Sequence, residues 1–110
     1  MARTFALMVA EAMAEVPMIS ATEAHRRMQQ EPRTLVIDVR DAADIASTGI
    51  IPGAAHISLG SLTYRADHEV PQEARDPRLH DPSRPIITVC ERGPVGALGG
   101  KSSRTWASRT

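Results

Sequence analysis

Leu35-Val36-Ile37-Asp38-Val39 is the stretch on which the fold turns. It is apolar on both faces, rich in β-branched residues, and ends on a carboxylate. Such a run suits a strand covered on both sides, as in a parallel sheet layered by helices. A second run of the same kind, Pro85-Ile86-Ile87-Thr88-Val89-Cys90, ends on the chain's one cysteine. Between them, Asp41 can cap a short helix over 42–47 that stops at Gly49. Ile51-Pro52-Gly53 then makes a turn, and Ala54 to Ile57 forms a short strand. From Leu59 to Arg84 the pattern weakens, and prolines 77, 82 and 85 among the charged residues between Glu73 and Pro85 predict surface loop with about one turn of helix.

Working outward, Phe5, Met8, Val9, Ala12, Met13 and Val16 recur at spacings of three and four, which predicts an amphipathic helix ended near Pro17. A Met- and Ala-rich stripe of this kind packs as a lid on a core or docks on a partner. Met18-Ile19 reads as a very short strand. Ser20 and Glu23 have capping-box spacing for a helix reaching about Gln30. Beyond Cys90, Glu91-Arg92-Gly93-Pro94 reads as loop, and 96–106 has weak helical character interrupted by Gly99-Gly100. Strands alternating with helices predict a three-layer α/β domain, a central and mostly parallel sheet flanked by helices.

The whole chain of 110 residues allows one domain. Its 13 basic and 13 acidic residues cancel, so no global field draws it to nucleic acid or an anionic membrane. Hydrophobic residues reach 42%, yet much of that fraction is alanine, so the core is modest. A single cysteine excludes an intramolecular disulfide and fits a reducing compartment. No apolar run approaches the roughly 20 residues of a membrane span, and Glu11 and Glu15 break any signal-like segment at the start. The reading is a cytoplasmic protein.

Cys90 lies where a strand gives way to a Gly-containing loop, the end of an open α/β sheet at which ligands bind. Backbone N–H groups there can hold an anion or favour a thiolate. A buried structural cysteine is the alternative at this position. Asp38 offers two readings as well, an acceptor for loop N–H groups or a charge partner of Arg40 or of an active-site group. Arg40 and Asp44 have the spacing of an ion pair. His56, after the turn, suits structural hydrogen bonding better than proton transfer or metal binding. His25, His68 and His80 are scattered and lack metal-ligand spacing, so no metal is expected.

Two blocks of this sequence resemble the rhodanese-like sulfurtransferase domains. One is Leu35-Val36-Ile37-Asp38-Val39-Arg40-Asp41, then Asp44, then Gly49-Ile50-Ile51-Pro52-Gly53-Ala54-Ala55-His56-Ile57. The other is Cys90-Glu91-Arg92-Gly93 entered from an apolar strand and followed by Ala97-Leu98-Gly99-Gly100-Lys101. The resemblance covers roughly residues 18 to 101. It implies that the Cys90 thiolate attacks the outer sulfur of a donor such as thiosulfate and becomes a persulfide. A thiol, cyanide or a partner protein's thiol then removes that sulfur. No cofactor is implied. The loop Glu91, Arg92, Gly93, Pro94, Val95 and Gly96 would cradle the anion, with Asp38, Arg40, Asp44 and His56 in support.

The departures bear on the same chemistry. Active relatives carry Cys-x-x-Gly-x-Arg followed by Ser, whereas here Val95 and Gly96 stand at the Arg and Ser positions. Pro94 adds no N–H to the cradle. Arg92 is the loop's own cation. Phosphatases of the Cys-x5-Arg type need arginine where Gly96 stands, which excludes that chemistry. Ile50 replaces the family's usual His. After Lys101 no Val/Ile run or Gly-Gly turn follows, so the family's last strand and helix are expected to be missing, as in a truncated or frameshifted chain. The expected organisation is a helix over 1–17, an incomplete domain over 18–101 and an unpacked tail over 102–110. Two functions follow, sulfurtransferase through Cys90, or an impaired binding or regulatory domain, a non-functional fragment included.

Overall fold

The computed structural model describes residues 3–90 and, as backbone, 106–109. Helix α1 (Phe5–Glu15) begins where the Leu7 N–H donates to the Thr4 hydroxyl and ends where the Val16 N–H donates to the Ala12 carbonyl. It buries a narrower stripe than its sequence suggests. Ala12 and Val16 pack with Met18, while Phe5, Leu7, Met8 and Met13 are exposed. Strand β1 is Met18–Ile19. Helix α2 (Ala21–Gln30) is capped by Ser20, whose hydroxyl accepts from the Glu23 N–H at 3.1 Å. The Glu23 carboxylate turns along the helix to the guanidinium groups of Arg26 and Arg27, each Nε donating at 2.8 Å. Those two contacts lower its pKa to about 2.

Strands β2 (Leu35–Asp38) and β4 (Ile86–Cys90) are buried at every residue, as their β-branched runs require. They pair in parallel from Leu35↔Ile86 to Asp38↔Val89. Helix α3 (Ala42–Thr48) follows β2. Asp41 stands at its start without a side-chain cap bond, and Gly49 at φ 81° ends it in the left-handed region. Strand β3 is Ala55–His56 and pairs with β2. Helix α4 (Leu59–Arg65) lies where the sequence pattern weakens, and 3₁₀ turns follow at Gln72–Ala74 and at Pro77–Leu79, the latter within the expected loop. Leu62, wholly buried, is what α4 contributes to the core.

Strand β5 (Trp106–Arg109) overturns the expectation of a missing last strand. It lies between β1 and β4, parallel to both, in a sheet ordered β1-β5-β4-β2-β3. The 106–109 backbone is therefore part of the sheet and not an unpacked tail, and Trp106 begins a strand where the end of a helix was expected. The loop expected at 91–94 and the rest of that helix lie outside the described residues.

The strand period divides the core cleanly. Leu35, Ile37, Val39, Ile86 and Cys90 project to one face, where Ile57, Leu62 and Leu79 cover them. Val36, Ile87 and Val89 project to the other, against Ile19, Ala24 and Met28. Helices α4 and α2 thus cover opposite faces, and the three-layer α/β arrangement with a parallel sheet is as the sequence predicts. Ile37 and Ile87, both at 0% exposure, each contribute about 1.5–3 kcal/mol of burial. No helix among the described residues is long and apolar enough to cross a membrane.

Candidate functional site

Because β2 and β4 run parallel and in register, their carboxyl ends meet at one edge of the sheet, the edge at which α/β sheets bind ligands. Asp38 closes β2 and Cys90 closes β4. The ladder continues one step further, with the Val39 N–H donating to the Val89 carbonyl at 3.0 Å. After Val39 the chain turns sharply, because Asp38 Oδ1 accepts from the Arg40 N–H at 3.0 Å.

The Arg40 guanidinium then folds back on the same carboxylate. Its Nε lies 3.0 Å from Oδ1 and its Nη2 2.8 Å from Oδ2. Arg40 also donates from Nη1 to the Thr48 hydroxyl at 2.6 Å and from Nη2 to the Gly49 carbonyl at 2.8 Å. A planar fork of five N–H groups can span these acceptors; an ammonium cannot. The acceptors belong to the end of α3, where unpaired carbonyls and the helix dipole favour a cation. The result is a clasp that fixes the exit of β2 against the far end of α3. With side-chain exposures of 3% for Asp38 and 16% for Arg40, the pair is shielded enough for its partners to depend on each other.

Both readings of Asp38 hold at once, since it accepts a backbone N–H and pairs with Arg40. The expected Arg40–Asp44 ion pair gives way to this clasp. Asp44 participates through its backbone, its carbonyl accepting from the Thr48 hydroxyl at 2.9 Å. His56 Nε2 lies 2.8 Å from the Arg40 carbonyl. A carbonyl only accepts, so Nε2 carries the proton and His56 holds the turn in place. The sequence does not single out Thr48, and it marks Gly49 only as the helix stop and as part of the first block. The signal for them is physical: five guanidinium donors need acceptors, and the nearest helix C-terminus supplies them.

Beside the clasp lies a cleft of about 320 Å³. Asp38, Arg40 and Thr48 form its polar wall, and Ile50, Ile51 and Val89 its apolar one. Asp38 and Val89 belong to the sheet face opposite Cys90. The Cys90 side chain is directed into the apolar layer with Leu35, Leu62 and Ile86, and the residue is 3% exposed. Asp38 and Cys90 therefore share a sheet edge but face opposite layers. Glu91, Arg92, Gly93, Pro94, Val95 and Gly96 lie outside the described residues. Among those described, no group of three or more His, Cys, Asp or Glu side chains is placed to hold a metal ion.

The model of the rhodanese-like domain matches residues 20–106, from the cap of α2 to the first residue of β5. The chain belongs to the rhodanese-like domain family. A Rhodopseudomonas palustris protein of unknown function, described as a possible tyrosine phosphatase, superposes with a TM-score of 0.83 at 20% identity, over 99% of this chain and 86% of that one. At that identity the likeness is one of fold. The Wolinella succinogenes polysulfide-sulfur transferase homodimer matches with a TM-score of 0.68 at 26% identity, covering 96% of this chain and 75% of its own. A human single-domain sulfurtransferase matches with a TM-score of 0.60 at 26% identity, covering 86% and 88%. No curated protein matches the chain. The family shown is that of sulfur-transfer domains, as the two sequence blocks imply.

Proposed function

We infer that this rhodanese-like domain is a catalytically impaired binding or regulatory module for a protein thiol or persulfide, with little or no turnover of a small anionic donor such as thiosulfate. The observation that carries the reading is Val95 at the position of the family's loop arginine. Holding an anionic donor and the leaving sulfite needs a cation and converging N–H donors. Val95 supplies no cation at that position, and Pro94 lacks an N–H. Arg40 is no substitute from the neighbouring strand end, because its donors are engaged by Asp38, Thr48 and Gly49. The burial of Cys90 adds to this, since a nucleophile must be reached by its donor. The cleft beside the clasp, with Ile50, Ile51 and Val89 along one wall, remains suited to binding a partner.

Sulfurtransferase chemistry through Cys90 is the second reading, and the place of Cys90 at the carboxyl end of β4 favours it. The likeness to two proteins described as sulfur transferases supports the same chemistry. In that reaction the Cys90 thiolate forms a bond to the outer sulfur of thiosulfate and sulfite leaves with the electron pair. An acceptor thiolate or cyanide then attacks the outer sulfur and releases the Cys90 thiolate. Thiocyanate formation from thiosulfate and cyanide separates the two readings. Wild type should turn over slowly or not at all, and Val95→Arg should raise the rate at least tenfold through better donor binding. Efficient wild-type turnover that Cys90→Ser abolishes and Val95→Arg leaves unchanged would overturn the binding-domain reading.

A further inference from the structure

His68 and His80, scattered in the sequence, are brought together on the surface behind α4. Their Nδ1 atoms lie 3.1 Å apart and the rings meet edge to face with centroids 4.5 Å apart. Each is held from behind. His80 follows the 3₁₀ turn Pro77–Leu79, anchored by the buried Leu79, and its Nε2 lies 2.9 Å from the Arg65 carbonyl. The same carbonyl accepts from the Asp76 N–H at 3.1 Å. The backbone around His68 is pinned by Arg75, which donates to the His68 carbonyl at 2.6 Å and the Val70 carbonyl at 2.8 Å.

The bonding fixes the tautomers. A carbonyl only accepts, so His80 carries its proton on Nε2 and presents a lone pair at Nδ1. His68 donates to that lone pair from its own Nδ1–H and leaves Nε2 outward. Two imidazole nitrogens facing each other at 3.1 Å are spaced nearly as the ligands of one metal ion. Zinc–nitrogen bonds of about 2.0–2.1 Å at the tetrahedral angle place two nitrogens about 3.4 Å apart. The His80 bond to the Arg65 carbonyl is the kind of support that orients a metal-bound histidine.

We propose that His68 and His80 form a two-histidine site for a divalent transition cation of the zinc, copper or nickel class, bound through both Nδ1 atoms. The imidazole pair selects these borderline ions over magnesium or calcium. On binding, His68 loses its Nδ1 proton and takes one from water at Nε2, so both rings stay neutral and both Nδ1 lone pairs meet the ion. Water completes the coordination. No third His, Cys, Asp or Glu side chain among the described residues is placed to join the two histidines. His68 is exposed, and His80 also lines a cleft of about 370 Å³ with Gln72 and Arg75, so the pair is reachable from solvent.

The test is a zinc chloride titration of the full chain near neutral pH, read by imidazole proton–nitrogen spectra and repeated in Cys90→Ser to remove the thiol. The Nδ1 signals of His68 and His80 should shift together and saturate at one equivalent, while His25 and His56 stay in place and magnesium has no effect. His68→Ala should lower zinc affinity at least tenfold. His80→Gln keeps an N–H for the Arg65 carbonyl but removes the ligand nitrogen, and should do the same. Zinc that shifts all four rings alike, or that binds only through Cys90, would overturn the site. So would a His68→Ala affinity within twofold of wild type. If His80→Gln fails to fold, the exposed His68 decides alone.

Discussion

The two pairs of strands that make up most of the sheet are built differently. β2 and β4 bury every side chain and lock together from Leu35↔Ile86 to Asp38↔Val89. Among the described residues β1 and β5 pair only at Met18↔Ala107 and Ile19↔Ser108, and β5 carries Trp-Ala-Ser-Arg, no apolar run at all. Yet β5 occupies the interior of the sheet, between β1 and β4. A strand's place is set by backbone groups that must be paired on both sides, whereas its visibility in a sequence depends on side chains. The central pair is specified by both. β5 is specified by its neighbours.

Perturbing the carboxyl end of the central pair should have the largest effect. Asp38→Ala leaves the Arg40 guanidinium without its carboxylate in a shielded site and removes the acceptor that turns the chain after Val39. A loss of about 3–5 kcal/mol is expected in urea unfolding, and a loss below about 1 kcal/mol would show that the clasp does not hold this edge together. Ala107→Pro sharpens the comparison from the other side. Proline removes an N–H from the interior strand and should cost about 3 kcal/mol. Unchanged stability would mean that the sheet does not depend on β5.

Smaller effects come from the periphery of the clasp. Gly49 holds φ 81° with open space around its Cα, so Gly49→Ala should cost about 1 kcal/mol from backbone strain alone. A neutral result in thermal unfolding would mean that this turn relaxes, and that the Gly49 carbonyl need not be fixed for Arg40. Least is expected from Glu23 on α2. Its folded pKa is lowered to about 2 by its contacts with Arg26 and Arg27, so its stabilising contribution is present above the ordinary carboxylate range. That contribution is lost as pH falls through about 2. Urea midpoints measured from pH 5 downward should decline for wild type and slightly less for Glu23→Gln. Part of the decline should persist in the variant, because Asp76, held low by Arg78, and Asp81, held low by Ser83, behave the same way.

What was legible in the sequence follows the same division. The β-branched runs disclose β2 and β4, the spacing of its apolar residues discloses α1, and the Ser20–Glu23 cap discloses α2; burial follows the pattern in the two strands, while α1 buries only part of its stripe. Helix α4 escapes notice because Leu62 alone is fully buried in a segment containing Gly60 and polar residues. The pairing of Asp38 with Arg40 is readable from spacing, but its extension to Thr48 and Gly49 depends on where α3 ends. His68 and His80 are separated by a 3₁₀ turn and loop with no periodicity, so only the folded chain shows that their rings meet. Val95 and Pro94, in contrast, are legible at once, because they depart from a pattern whose chemistry is understood.

Intact mass spectrometry of the reduced protein after brief thiosulfate treatment tests the central claim most directly, with Val95→Arg and Cys90→Ser alongside. One sulfur on a thiol adds about 32 Da and is removed by cyanide or dithiothreitol. Wild type should show little or no adduct, Val95→Arg should gain one, and Cys90→Ser should show none. A wild type that is converted fully, loses the sulfur to cyanide, and gains nothing from Val95→Arg would contradict the account.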